Sequence, residues 1–291
     1  MTIYASNLTI ATQYYGCNKD CPYCVSKMTG NTHNDWLTFK RNIPKVRKIA
    51  EAAKVYNILI TGKGEPLLNF ENREKKLKNR QQLATIIDSF SDYPLEIQTN
   101  GINLTEGTVQ LLCDVGINVI AVSVDDIEHV FEKKHIYRMI KKIGMVSRVT
   151  LNLSNMSIPD PNDINLIDYV HTIFDVCIAS SVHQFTLRRL SVPAGKENTN
   201  QAKWIEDNAS NKNWPILQKI EWMLEDECKK NGTLIRSLNH GVDIYDLYGI
   251  SVTINKYCIQ EQSSNNDLRS LIFLQDGHLY TSWGSEASII I

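Results

Sequence analysis

Six short runs rich in Ile, Val, Leu and Thr, interleaved with segments of helical spacing, restrict the fold of this chain more than any other feature. The runs are "NLTIATQ", "YNILITG", "LEIQTNG", "INVIAVSVDD", "RVTLNLSN" and "HQFTLRRLSVP". Between them lie "IPKVRKIAEAAKVY", with Pro44 in its first turn, "RQQLATIIDSF", "TEGTVQLLCDVG", the stretch from Glu128 to Ile143, and "DINLIDYVHTIFDVCIAS". Thr105 is placed to cap the third of these and Gly116 to end it. Strands alternating with helices imply parallel βαβ units. The expected fold is therefore α/β: a partial (β/α)6 barrel of parallel strands over about residues 7–195, within a first domain of residues 1–195. Past Pro193 the pattern changes. "AGKENTNQAKWIEDNASNKNW" reads as a polar loop or capping insertion, and "PILQKIEWMLEDECKKNG" as an amphipathic helix ending at Gly232. "GISVTINKYC" reads as a strand, and "LRSLIFLQDGHLYTSW" as a hairpin turning at Asp276-Gly277. Residues 196–291 are expected to form a C-terminal α/β extension capping the barrel.

A formal net charge of −1 leaves no overall field to draw the chain to nucleic acid or to an anionic membrane. The start "MTIYASNLTIATQYYG" lacks the basic, apolar and small-residue blocks of a signal peptide, and no apolar run reaches membrane-spanning length. The expected location is the cytoplasm, where cysteines serve as ligands or catalysts more often than as disulfides. Cys113 and Cys177 sit among apolar residues at helical spacing and read as small buried hydrophobes; Cys228 and Cys258 are scattered. His135, His171, Trp222 and Trp283 have no partner motif and read as core or surface residues. The run "ENREKKLKNR" reads as a solvated loop and helix start.

Cys17, Cys21 and Cys24 are different, since three thiols share one loop directly after the first strand. Such a set suits an iron–sulfur cluster or a zinc ion. Structural zinc takes four protein ligands, and His33, nine residues on, is not at a familiar finger spacing. At the end of the second strand lies "GKGEPLL", in which glycines permit close approach and a carboxylate and carbonyls can accept from a cationic amine. Polar residues recur on single faces of four strands: Glu96, Gln98 and Asn100; Ser123 and Asp125; Thr150, Asn152 and Ser154; Thr186 and Arg188. Buried parallel strands are usually apolar throughout, so these point to a polar site at the C-terminal mouth of the barrel. Arg188 and Arg189 must face opposite ways, so at most one of them can serve that site.

The cysteine spacing C-x-x-x-C-x-Φ-C, with Tyr23 at the aromatic position, resembles the signature of the radical S-adenosylmethionine (SAM) enzymes. Gly62, Gly64, Glu65 and Pro66 resemble that family's G-G-E-P segment, and "TNG" at the third strand's end is also similar. Lys63 departs from the commonest form, although a G-x-G-E-P-L variant occurs in the RNA-methylating branch. The resemblance implies that Cys17, Cys21 and Cys24 hold three irons of a [4Fe–4S] cluster whose fourth iron is open to SAM. It further implies that Gly62, Gly64, Glu65 and Pro66 line the methionyl amine site and that Tyr23 lies near adenine or cluster. Gln98, Asn100, Ser123 and Asn152 would bind the rest of SAM, and Arg188 its carboxylate or an anionic substrate. Reductive cleavage of SAM, an oxygen-sensitive cluster and an electron donor such as a flavodoxin or ferredoxin follow from the same resemblance. The expected substrate is a small nucleotide- or pterin-like molecule, as for 7-carboxy-7-deazaguanine synthase. Other readings are a glycyl-radical-enzyme activase, an RNA-methylating enzyme carrying the methyl group on Cys258, and a non-catalytic metal-binding module. Substrate specificity is expected from the extension, including the "SVTIN" strand and Arg269.

Overall fold

The computed structural model describes residues 4–12, 16–30, 32–68, 73–159, 165–238, 241–256, 262–264, 267–283 and 286–291. Cys258 lies outside them. The expected strands appear as β1 (Tyr4–Ala11), β2 (Asn57–Thr61), β3 (Leu95–Thr99), β4 (Val119–Val124), β5 (Val146–Leu153) and β6 (Gln184–Arg189). Each pairs with the next in parallel, in chain order. Strands β7 (Thr233–Ser237), β8 (Asp243–Leu247), β9 (Ile250–Asn255), β10 (Gln262–Ser264), β11 (Asp267–Phe273) and β12 (Leu279–Tyr280) follow. The "ISVTIN" strand β9 continues the sheet in parallel beyond β6, and β11 pairs in parallel with β1 at the opposite side. The sheet order is thus β10-β11-β1-β2-β3-β4-β5-β6-β9-β8-β7. The segment read as an extension builds both flanks of the parallel sheet. Its hairpin β11–β12 turns at Asp276-Gly277 as expected, with Gly277 at φ 81°.

The helices are α1 (Val25–Thr29), α2 (Trp36–Ala52), α3 (Arg73–Ser89), α4 (Glu106–Asp114), α5 (Glu128–Glu132), α6 (Lys134–Lys142), α7 (Leu166–Ala179), α8 (Asn200–Ala209) and α9 (Pro215–Asn231). No helix among the described residues is long and apolar enough to cross a membrane. Helix α1 is absent from the sequence reading, and three others differ from it. Asp35 caps α2 by accepting from Leu37 N and Thr38 N, so the helix begins earlier and Pro44 falls in its interior. The stretch from Glu128 to Ile143 breaks at Lys133, whose ammonium reaches back to the Gly101 carbonyl. Residues 200–209, read as loop, are helical: Thr199 Oγ1 accepts from Ala202 N, and Ala202, Ile205 and Ala209 bury one face. The last apolar stripe is sparse and polar on both sides, which hides its period.

Strand alternation divides the sheet into two environments. Leu8, Ile10, Ile58, Ile60, Phe185 and Leu187 are at most 1% exposed, in a core shared with the helices. Phe39 of α2 stacks on Phe273 of β11 at 4.0 Å between ring centroids, which fixes that strand to the core. The intervening positions, such as Gln184, Thr186 and Arg188, face a polar lumen.

Candidate active site

The cysteine loop leaves β1 and is held at both ends by the loop that follows β2. Gly16 forms a parallel bridge with Gly64, and Glu65 N donates to Gly16 O at 2.9 Å. A Cβ on Gly64 would lie 2.3 Å from Gly16 O, so this approach requires glycine. At the other end Lys63 Nζ donates to Gly30 O at 3.0 Å. Lys63 is buried, which pulls its ammonium below the usual lysine range, with Asp276 opposing. The residue that departs from the commonest family spacing is therefore a tether.

Glu65 is 3% exposed, and its carboxylate ties this loop to the end of β3. Oε1 accepts from Leu67 N at 2.9 Å and from Thr99 Oγ1 at 2.6 Å, and Oε2 accepts from Asn100 N at 2.7 Å. Burial pushes its carboxyl above the usual range, and these bonds oppose the shift. With three acceptor positions committed, Glu65 shapes the loop, and backbone carbonyls become the natural acceptors for an amine.

The three cysteines, Tyr23, Gly62, Gly64, Glu65, Pro66, Gln98, Asn100, Ser123, Asn152 and Arg188 line one cavity of about 350 Å³, whereas Glu96, Thr150 and Thr186 line a different space and Asp125 and Ser154 line neither. Cys17 is exposed at its rim, while Cys21 and Cys24 are half-buried. Burial pushes the Cys21 thiol up, with Lys19 opposing. Asn100 Nδ2 lies 3.5 Å from Cys17 Sγ. Gln98, Ser123 and Asn152 line the wall and Tyr23 the rim. Among the described residues no three His, Cys, Asp or Glu side chains are already gathered as a metal site; the thiols border the cavity without converging. His33 is exposed and outside that lining. Three soft donors around an open cavity, with no fourth ligand gathered beside them among the described residues, suit a cluster with one exchangeable iron better than closed zinc.

Asp125, on the same face as Ser123 in the sequence reading, pairs at the mouth with Lys19, which that reading does not single out. Asp125, 5% exposed, accepts from Lys19 Nζ at 2.5 Å, from the Tyr23 hydroxyl and from Asn152 Nδ2 at 3.4 Å. Burial, reinforced by Asp125, raises the Tyr23 phenol well above its ordinary range, so it remains a donor. Alternation had placed Asp125 beside Ser123, but its pairing with Lys19 spans 106 residues. Helix α8 roofs this group: Met28 of α1 packs on Ile205 and Ala209, and the Tyr23 and Trp204 rings lie 5.6 Å apart. Arg188 points into the lumen, whereas Arg189, also at the rim, is paired with the buried Glu221 of α9.

Residues 13–155 match the Radical SAM superfamily model. Among solved structures, SuiB from Streptococcus suis bound to precursor peptide SuiA aligns with TM-score 0.57 at 13% identity. That alignment covers 96% of this chain and 59% of SuiB. SuiB bound to S-adenosylmethionine aligns with TM-score 0.58 at 12% identity, covering 96% of this chain and 60% of SuiB. The likeness is one of fold, and this chain spans about 60% of the SuiB length. An uncharacterized protein of Methanocaldococcus jannaschii is 26% identical over 227 residues, 75% of this chain and 68% of that one. A probable dual-specificity RNA methyltransferase of Clostridioides difficile is 37% identical over 81 residues, 27% of this chain and 23% of that one.

Proposed function

The chain carries a radical SAM superfamily domain over residues 13–155, and from that premise we propose that it is an enzyme acting on a small molecule held in the lumen of its sheet. Cys17, Cys21 and Cys24 would hold a [4Fe–4S] cluster, and the backbone from Gly62 to Pro66 would receive the methionyl end of SAM. Tyr23, Gln98, Asn100, Ser123 and Asn152 line the remainder of that cavity, and Arg188 lies where it adjoins a second space in the lumen. When bound, the cluster and SAM would supply one-electron reductive cleavage of SAM and, through it, hydrogen-atom abstraction from the substrate.

The chain's own contribution is placement and exclusion of water. Glu65 holds the second motif against β3, and Lys63 and Gly64 hold the cysteine loop against the second motif. Asp125 fixes Lys19, Tyr23 and Asn152 as one network beneath the roof formed by α8. The exposed edge at Cys17 offers an approach for a one-electron donor of the flavodoxin or ferredoxin type. The observation that carries this reading is the bridge from Gly16 to Gly64, which joins the thiol loop to the amine-accepting loop at one mouth of the sheet.

Anaerobic reconstitution with iron and sulfide, followed by SAM and dithionite, is expected to release 5′-deoxyadenosine and methionine. Absence of both from a protein with an intact, reduced cluster would leave a metal-binding module and overturn the enzyme reading.

A further inference from the structure

A second cavity, about 460 Å³, lies below the mouth inside the same lumen. It is within the range of about 300–1,000 Å³ usual for small-molecule sites. Asn7, Leu59, Gln98, Arg188 and Arg269 line both spaces, so the two adjoin at that level. Strand register arranges the wall in layers. Thr150, Thr186 and Thr253, consecutive partners across β5, β6 and β9, give this chamber a row of three hydroxyls; Ser123 continues the row on β4 but lines the upper cavity. One step nearer the mouth, Asn152, Arg188 and Asn255 are partners in the same way. One step deeper, Arg148 Nη1 meets both oxygens of Glu96 at 2.7 and 2.8 Å, and its Nε donates to Gln184. That pair neutralises itself. The β7–β8 hairpin closes the floor, where the Arg236 guanidinium lies 5.3 Å from the Tyr56 ring centroid.

Arg188 is the exception. Its Nε is buried with no hydrogen-bond partner, and it forms no ion pair among the described residues. Arg188 as a whole is half-buried, but a guanidinium nitrogen buried without an acceptor is costly, and the planar fork that remains open to the lumen fits a carboxylate or phosphate. We propose that the lower chamber is the substrate site and that it takes a small, non-aromatic, polyhydroxylated anion, a sugar acid or sugar phosphate. The anionic group docks on Arg188, with Arg269 at the same junction, and the hydroxyl-bearing carbons lie along the Thr150–Thr253 row. This inference rests on the enzyme reading above and narrows its substrate. A stacked heterocycle is disfavoured: among the described lining residues of the chamber Tyr56 is the aromatic one, and Arg236 covers it.

The test uses the reconstituted full-length protein in anaerobic calorimetric titrations with D-gluconate, D-ribose 5-phosphate, D-glucitol, guanosine and neopterin. Saturable binding of gluconate or ribose 5-phosphate is expected, with D-glucitol and the heterocycles at least about tenfold weaker. A preference for gluconate identifies a carboxylate ligand, and a preference for ribose 5-phosphate, competed by inorganic phosphate, a phosphate ligand. Arg188→Gln is expected to weaken the anion about tenfold or more while moving SAM affinity less than about twofold. Thr186→Val with Thr253→Val, a gentler change, is expected to weaken it about three- to tenfold. Tighter binding of guanosine or neopterin overturns the proposal. So does anion binding indifferent to these variants, or no anion bound at concentrations on the order of 10 mM. Arg188→Gln weakening SAM and sparing the anion would put this arginine on the SAM carboxylate, also overturning it. Release of 5′-deoxyadenosine in the same samples separates the two readings. Cleavage without anion binding defeats only the substrate assignment, and anion binding without cleavage by an intact cluster defeats only the enzyme reading.

Discussion

Gly64 shows how far one residue type can decide the site. Its Cα sits where any Cβ would enter the Gly16 carbonyl at 2.3 Å, and backbone on both sides leaves no rotamer to relieve it. Gly64→Ala must therefore open the Gly16–Gly64 bridge and the Glu65 N to Gly16 O bond. We expect a loss of about 1–3 kcal/mol in stability by urea denaturation. Iron retained per chain after reconstitution should also fall; wild-type retention would mean that the bridge does not hold the thiol loop. The glycine and the thiols were legible in the sequence because each lies within a few residues of its motif. The tether from Lys63 to Gly30 and the pairing of Lys19 with Asp125 were not, because nothing local tells a buried amine from a solvated one.

At the scale of elements, α8 carries the clearest lesson. Its apolar face is narrow and is directed at α1, outside the main core, so it forms a separate small cluster with Met28 and Tyr23. Ile205→Asp would set a charge against Met28. Amide hydrogen exchange in residues 24–29 should rise by about tenfold or more, while β4 and β5 keep their protection. Equal loss of protection in both would mean that the roof and the sheet open as one unit. The break at Lys133 and the early start of α2 have the same origin. A lysine reaching the Gly101 carbonyl and an aspartate capping Leu37 and Thr38 move helix ends that apolar spacing alone cannot fix.

For the whole molecule, the parallel sheet depends on both termini of the chain. Strand β11 lies against β1, and β9 lies against β6, so the strands read as a first domain have neighbours from the region after residue 195 on either side. Phe273 and Leu271 are also fully or nearly fully buried in the core shared with Phe39. We expect residues 1–195 alone to lose fixed tertiary packing, seen as lost near-ultraviolet circular dichroism and a non-cooperative melt, because two open parallel edges and an uncovered core face remain. A cooperative melt of that fragment would instead support two separable domains.

Taken alone, the sequence determined the order of the parallel strands, the two loops that meet at their mouth and the polar faces directed inward. Those follow from periodicity and from motifs read over a few residues. Only the tertiary structure decided that Glu65 serves the loop rather than standing free, that Asp125 gathers Lys19 and Tyr23, and that Arg188 is left unpaired above a lower chamber. The physical reason is register. Side chains from strands far apart in the chain become neighbours only once parallel pairing has set their heights, and no local pattern encodes those heights.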